Sequence, residues 1–135
     1  MRSRLAWMTL ATWLLFSGCG GPDADLPAHY RHLTVPAELL TSRVARERGR
    51  ALFLRHCAIC HGVHADGRGI RSEGLDPAPM DFTNPEFSKS VSPRRVFYWI
   101  RNGVPGTAMP AWKIFSDRET WELAAYVLSV GKAQR

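Results

Sequence analysis

The sequence predicts an all-α domain of three main helices joined by long loops. Three segments repeat apolar residues every three or four positions between helix start and stop signals. A Gly- and Pro-rich stretch from Gly62 to Pro85 separates the first two. No segment alternates apolar and polar residues as a half-buried strand would. The 135 residues, 45% of them apolar, suffice for one packed domain and a modest appendage. Nothing is repetitive or low in complexity, which excludes general disorder.

The appendage comes first. Arg2 and Arg4 precede twelve uncharged, mostly apolar residues, Leu5 to Phe16, followed by "SGCG". A short basic region, a short apolar core and small residues at a cleavage point describe an export signal. Twelve residues fall short of the ~20 that a helix needs to cross ~30 Å of hydrocarbon. Ser17-Gly18-Cys19 resembles the lipobox of bacterial lipoproteins, with Phe16 where that family usually has Leu. The resemblance implies a lipoprotein signal peptide over residues 1–18 and lipid on Cys19. The protein would then stand on the periplasmic side of a bacterial membrane. Ordinary cleavage and a retained anchor are the alternatives. Without Arg2 and Arg4, 16 basic residues face 12 acidic ones. The arginines are scattered, and no basic run alternates with aromatics, so nucleic acid is not an expected partner. The excess reads as a solvated basic surface, or as steering toward an acidic partner.

Residues 19–40 read as a lipid-anchored linker. Gly20, Gly21, Pro22, Pro27 and Pro36 punctuate the segment, and no period survives. Its 22 residues would reach at most ~70 Å fully extended and average ~25 Å as a flexible coil. The competing reading docks Leu33, Val35, Leu39 and Leu40 on the domain that follows, residues 41–135.

Within that domain the first helix is expected from Ser42 to Arg55, with Ala45, Gly49, Leu52, Phe53 and His56 on one face. The second starts at Ser92 as N-cap, with Pro93 at the first helical position. It presents a broad apolar surface of Val96, Phe97, Trp99 and Ile100, and Gly103 ends it. The third opens with "SDRE", where Ser116 and Glu119 form a capping box. Leu123, Ala124, Val127 and Leu128 give it a buried stripe, with Tyr126 alongside. Three short helices and long loops make a thin core, and small domains of this kind usually need a staple or a bound group. A large flat apolar cofactor would serve as the missing core.

"HCAICHG", His56 to Gly62, points to that cofactor. Two thiols three positions apart with a histidine directly behind form the attachment pattern for c-type haem. Cys57 and Cys60 on one helical turn can add to the two vinyl groups on one edge of the macrocycle. His61 then turns its imidazole to the iron. A structural zinc site needs four ligands, commonly two such pairs, and no second pair follows Cys19. A thioredoxin-like motif would need βαβ surroundings, which are missing. The second axial ligand is expected from Met109 in "GVPGTAMPAW", a loop stiffened by Pro105 and Pro110 and turned by Gly106. Met80 in "PAPMDF" is the weaker candidate, and His64 stands too near His61 to cross to the other face.

These residues resemble the class I monohaem cytochromes c, over roughly Arg46 to Val130. "GRALFLRHCAICHG" looks like the family's first helix entering its haem motif, with Gly49 as the helix-crossing glycine and Phe53 as the packing aromatic. "GTAMPAW" resembles the sixth-ligand loop and "WELAAYVLS" the terminal helix. The resemblance implies one covalent haem c in a crevice between first and last helices, one edge near solvent. It also implies a proline carbonyl, from Pro77 or Pro79, that accepts the His61 ring N–H. Trp112 is expected on the haem edge, on the methionine loop or in the core, and Arg71 or Arg101 beside a haem propionate or as a solvated surface charge.

A six-coordinate iron has no open position for substrate, so one-electron transfer between redox partners is the expected function, without enzymatic activity of its own. The alternatives are a fixed subunit of a respiratory or dehydrogenase complex, and a gas-binding or peroxidase-like haem protein.

Overall fold

The computed structural model of the chain describes residues 20–133. The expected signal peptide and the lipid site at Cys19 lie outside the described residues. Within them every regular element is a helix and no strand occurs, as expected. The elements are α1 (Ala28–Arg31), α2 (Ala37–Thr41), α3 (Arg43–His56), α4 (Ala58–His61), α5 (Pro85–Ser90), α6 (Pro93–Asn102) and α7 (Asp117–Val130). No helix among the described residues is long and apolar enough to cross a membrane.

The three expected helices form where their caps direct. Ser42 Oγ accepts the Ala45 N–H at 3.2 Å to start α3. Ser92 Oγ accepts the Arg95 N–H at 3.1 Å over Pro93 to start α6, and Gly103 closes that helix. At α7 both halves of the capping box are made. Ser116 Oγ accepts the Glu119 N–H at 3.3 Å, and the Glu119 carboxylate accepts the Ser116 N–H at 2.8 Å.

The most extensive packing in the molecule joins α3 to α7. At their crossing a Cβ on Gly49 would stand 1.9 Å from the Glu122 carbonyl oxygen, so only glycine lets the two backbones approach this closely. Arg48, at 3.5 Å, and Arg118, at 3.1 Å, pair with the buried Glu122 carboxylate beside the crossing. Ala45, Gly49 and Phe53 are buried on α3, as their spacing predicts.

Helix α7 is buried more fully than its stripe predicts. Thr120, Trp121, Glu122 and Ala125 are buried together with Leu123, Ala124, Val127 and Leu128. Its neighbours close on it from several sides: α3 at the crossing, α5 and α6 beside it, and α2 from the segment before α3. The expected linker does not stand free: α2 packs on α7, α1 packs on α6, and Leu26 is buried. Leu33, Val35, Leu39 and Leu40 pack against the core, so the docking alternative describes residues 26–40 and the linker reading fails there. Hydrophobic residues spaced without a helical period still bury apolar area when short turns deliver them one by one. Tyr30 lies across α6, edge-on to Tyr98 at 4.8 Å, and its hydroxyl accepts from Asn102 Nδ2 at 2.9 Å.

Candidate haem site

Helix α3 ends at His56 and the chain turns directly into α4, so that Cys57, the N-cap of α4, and Cys60 and His61 within it lie around one tight turn. The Cys60 and His61 N–H groups donate to the Cys57 carbonyl at 3.1 and 2.9 Å. The loop that follows folds back beneath the turn. Gly67 N–H donates to the His61 carbonyl at 2.8 Å, Gly69 N–H to Cys60 at 3.0 Å and Arg71 N–H to Ile59 at 2.8 Å. These bonds satisfy the carbonyls that a helix end leaves open. They also fix the direction of both thiols and the imidazole.

Those three side chains open into a cleft of about 530 Å³. Its wall is almost wholly apolar: Phe53 and Leu123 come from the crossing helices, and Val96, Trp99 and Ile100 from α6. Cys57, Cys60, His61 and Met109 all line it. The volume falls in the ~300–1,000 Å³ range of cofactor sites. The core the sequence lacks is therefore a space of cofactor size, not a set of side chains packed elsewhere.

The His61 ring donates from Nδ1 to the Met80 carbonyl at 3.2 Å, because a carbonyl can only accept. That bond leaves Nε2 as the unprotonated nitrogen of a neutral ring. Phe82 stacks on the imidazole at 4.8 Å and holds its plane. Burial lowers the His61 pKa, opposed by the Met80 carbonyl bond, so the ring stays neutral and available as a ligand. The carbonyl belongs to Met80, not to Pro77 or Pro79 as the resemblance implied. Both prolines line the cleft and lead the chain to Met80. Phe82 and the Met80 carbonyl were not legible beforehand, because a backbone acceptor and a stacking ring leave no spacing pattern.

Burial pushes the Cys57 thiol up to about 12, and the neighbouring Cys60 adds to the shift. A thiol-disulfide centre needs a lowered thiol pKa, the reverse of what is found here. Among the described residues no group of three or more His, Cys, Asp or Glu side chains is placed to hold a metal ion.

Met109 is half-buried, and its backbone is gripped at both ends. Its N–H donates to Thr107 Oγ1 at 3.1 Å, and its carbonyl accepts the Val104 N–H at 3.4 Å. Thr107 Oγ1 in turn donates to the Val104 carbonyl at 2.8 Å. A Cβ on Gly103, whose φ is +74°, would stand 2.7 Å from the Met109 carbonyl, so the loop closes only over glycine. Thr107, between Pro105 and Pro110, ties the turn with these two bonds. Met80 also lines the cleft, half exposed, with its own carbonyl committed to the His61 ring.

Trp112 lines the cleft, stacks on Phe115 at 5.7 Å and packs, partly buried, against the core. Arg71 stands exposed at the cleft, within reach of an anionic group there. Arg101 faces away: it donates to the Phe115 carbonyl and pairs with Asp117 at 3.7 Å.

The residues present fit a c-type haem: two thiols on one turn, a neutral oriented imidazole, a held thioether and an apolar cleft of matching size. A helical domain with such a site is a class I c-type cytochrome, an electron-transfer protein with covalently bound haem c. Residues 44–127 match the family described as cytochrome C oxidase, cbb3-type, subunit III, and the chain belongs to that family.

Solved structures carry the same fold. One is a chain of the Kuenenia stuttgartiensis reducing HAO-like protein complex Kustc0457/Kustc0458, with a TM-score of 0.61 at 31% identity, covering 73% of this chain and 49% of that one. This chain thus spans about half the length of that relative. A second is the KustC0563 c-type cytochrome, with a TM-score of 0.51 at 26% identity, covering 61% of this chain and 95% of that one. Cytochrome CL from Methylophaga aminisulfidivorans MPT shares the fold at a TM-score of 0.51 and 23% identity, over 65% of this chain and 54% of that one. No curated protein matches the chain.

Proposed function

We propose that the protein carries single electrons between redox partners at the outer face of a bacterial membrane, tethered by lipid on Cys19. Cys57 and Cys60 would hold the haem through thioether links, and His61 and Met109 would ligate its iron. The observation that carries this reading is the convergence of all four side chains on one apolar cleft. Bound there, haem supplies an iron that gains and loses one electron.

The chain's own residues make that exchange undemanding. The Met80 carbonyl and Phe82 hold the His61 ring, and Thr107 with Val104 holds the Met109 backbone, so neither ligand needs to reorganise. Phe53, Val96, Ile100 and Leu123 keep water from the cleft. A dry surrounding and a thioether ligand both favour the ferrous state, so a positive reduction potential is expected. Met80 is the poorer ligand because its backbone is tied to His61's own side of the cleft.

The oxidised holoprotein should show the weak far-red band of sulfur-to-iron charge transfer, and the reduced form should bind carbon monoxide poorly. Met109→Ala should abolish the band and open the site to carbon monoxide, while Met80→Ala keeps both properties. Loss of the band in Met80→Ala instead would refute the ligand assignment.

A second reading makes the domain a fixed subunit of a respiratory complex. It is favoured by the family description, which names an oxidase subunit, and by the likeness to a chain of a multi-protein complex. Gel filtration of detergent-extracted protein separates the two. Co-elution with other haem or flavin chains marks a subunit, and elution alone marks a free carrier.

A further inference from the structure

We propose that residues 20–41 form a rigid strap that sets a short, fixed standoff between the haem domain and the lipid surface, with the N-terminal end of α6 toward the headgroups. The inference rests on the proposed acylation of Cys19 and on a clamp within the described residues.

The clamp begins four positions beyond Cys19. Asp23 accepts from the Ser92 hydroxyl and lies 3.8 Å from the Arg94 guanidinium. Arg95 forks onto the Asp25 carboxylate, one bond measuring 2.9 Å, and also donates to the Pro22 carbonyl at 2.8 Å. Arg94 Nε donates to the Leu33 carbonyl at 2.7 Å where the strap returns. Leu26, only 3% exposed, is buried between these contacts in sequence.

The charges explain why the strap docks here. Helix α6 carries Arg94 and Arg95 at its start and no acidic residue in its first turn. Cations at that end oppose the helix dipole. Asp23 and Asp25 supply the missing anions from outside the helix. Ser92 joins both systems, since its hydroxyl donates to Asp23 while accepting the Arg95 N–H. Strap and helix cap are therefore one hydrogen-bonded unit.

The consequence is geometric. A free 22-residue linker would let the domain roam ~70 Å from its anchor. With Asp23 fixed, only Gly20, Gly21 and Pro22 separate Cys19 from the domain, a reach of at most ~14 Å. Arg95 lies 5.9 Å over the Trp99 ring, and Trp99 lines the haem cleft. The clamped end is thus one helical turn from the cofactor wall, so fixing it fixes the height of the haem. Partners would then exchange electrons within a thin layer at the membrane instead of across a wide gap.

The test uses the full chain, matured with haem and placed in phosphatidylcholine nanodiscs that carry a headgroup fluorophore. Mass spectrometry of the N-terminal peptide comes first. The wild type should quench the fluorophore through the haem at least twofold more than the Asp23→Asn/Asp25→Asn variant. The Leu26 and Tyr30 amides should also exchange with solvent at least tenfold more slowly in the wild type. An unchanged far-red band certifies that the variant is folded. An acylated chain with equal quenching in both proteins overturns the strap and leaves the anchor standing. A chain without acyl on Cys19 overturns the anchor and, with it, the standoff.

Discussion

At the residue scale, the site depends on a few backbone groups as much as on its ligands. Thr107 joins the Met109 N–H to the Val104 carbonyl. Thr107→Val keeps the shape and removes both bonds, so the far-red band should weaken and carbon monoxide binding should rise, short of the full effect of Met109→Ala. Visible spectra of the oxidised and reduced forms check this. Gly49 is the other sensitive position. Gly49→Ala forces a methyl group onto the Glu122 carbonyl and should cost ~1–3 kcal/mol as an overpacked crossing. Urea unfolding of the holoprotein measures it. The same residue shows what could be read in advance. Gly49, Phe53, Cys57, Cys60, His61 and Met109 all stood out by spacing or by resemblance. Thr107, Phe82 and the Met80 carbonyl did not, because they act through single hydrogen bonds or one ring face, and neither has a period.

At the element scale, helix ends were legible and helix surroundings were not. Ser42, Ser92 and Ser116 cap the helices their positions announced, since capping is local chemistry written within four residues. Ser116→Ala should lower stability by ~1 kcal/mol, read as a shifted urea midpoint with unchanged slope. The strap was harder to read. Its turns are irregular, and its partners lie some 70 positions away in sequence, as between Asp25 and Arg95. Electrostatics leave a pH signature there. The Arg95 hydrogen bond holds the Asp25 carboxyl below the ordinary carboxylate range, and the Ser116 backbone N–H does the same for Glu119. A carboxyl lowered on folding stabilises fully above its unfolded value, about 4, and loses that contribution as pH falls through its lower folded value. Asp25→Asn should therefore be less stable than wild type at pH 7, with a gap that closes below about pH 4. Paired urea titrations across that range test it. Equal stability of the two proteins at pH 7 would assign the strap to apolar contacts alone.

At the scale of the whole molecule, the three helices, the strap and the long loops enclose a space instead of filling it. Over most of its circumference α7 is buried by its neighbours, and where the helices open they line an apolar cleft that matches a macrocycle. A domain built in this way should depend on its cofactor for stability. The chain expressed without haem maturation should therefore unfold at far lower urea than the holoprotein, with a broader transition. The most direct test is acid–acetone extraction of protein made in cells that attach c-type haem. The colour should stay with the precipitated polypeptide, and a tryptic peptide spanning Cys57 to His61 should carry the mass of one haem. A white pellet beneath a coloured supernatant, or an unmodified peptide, would contradict covalent attachment at this turn.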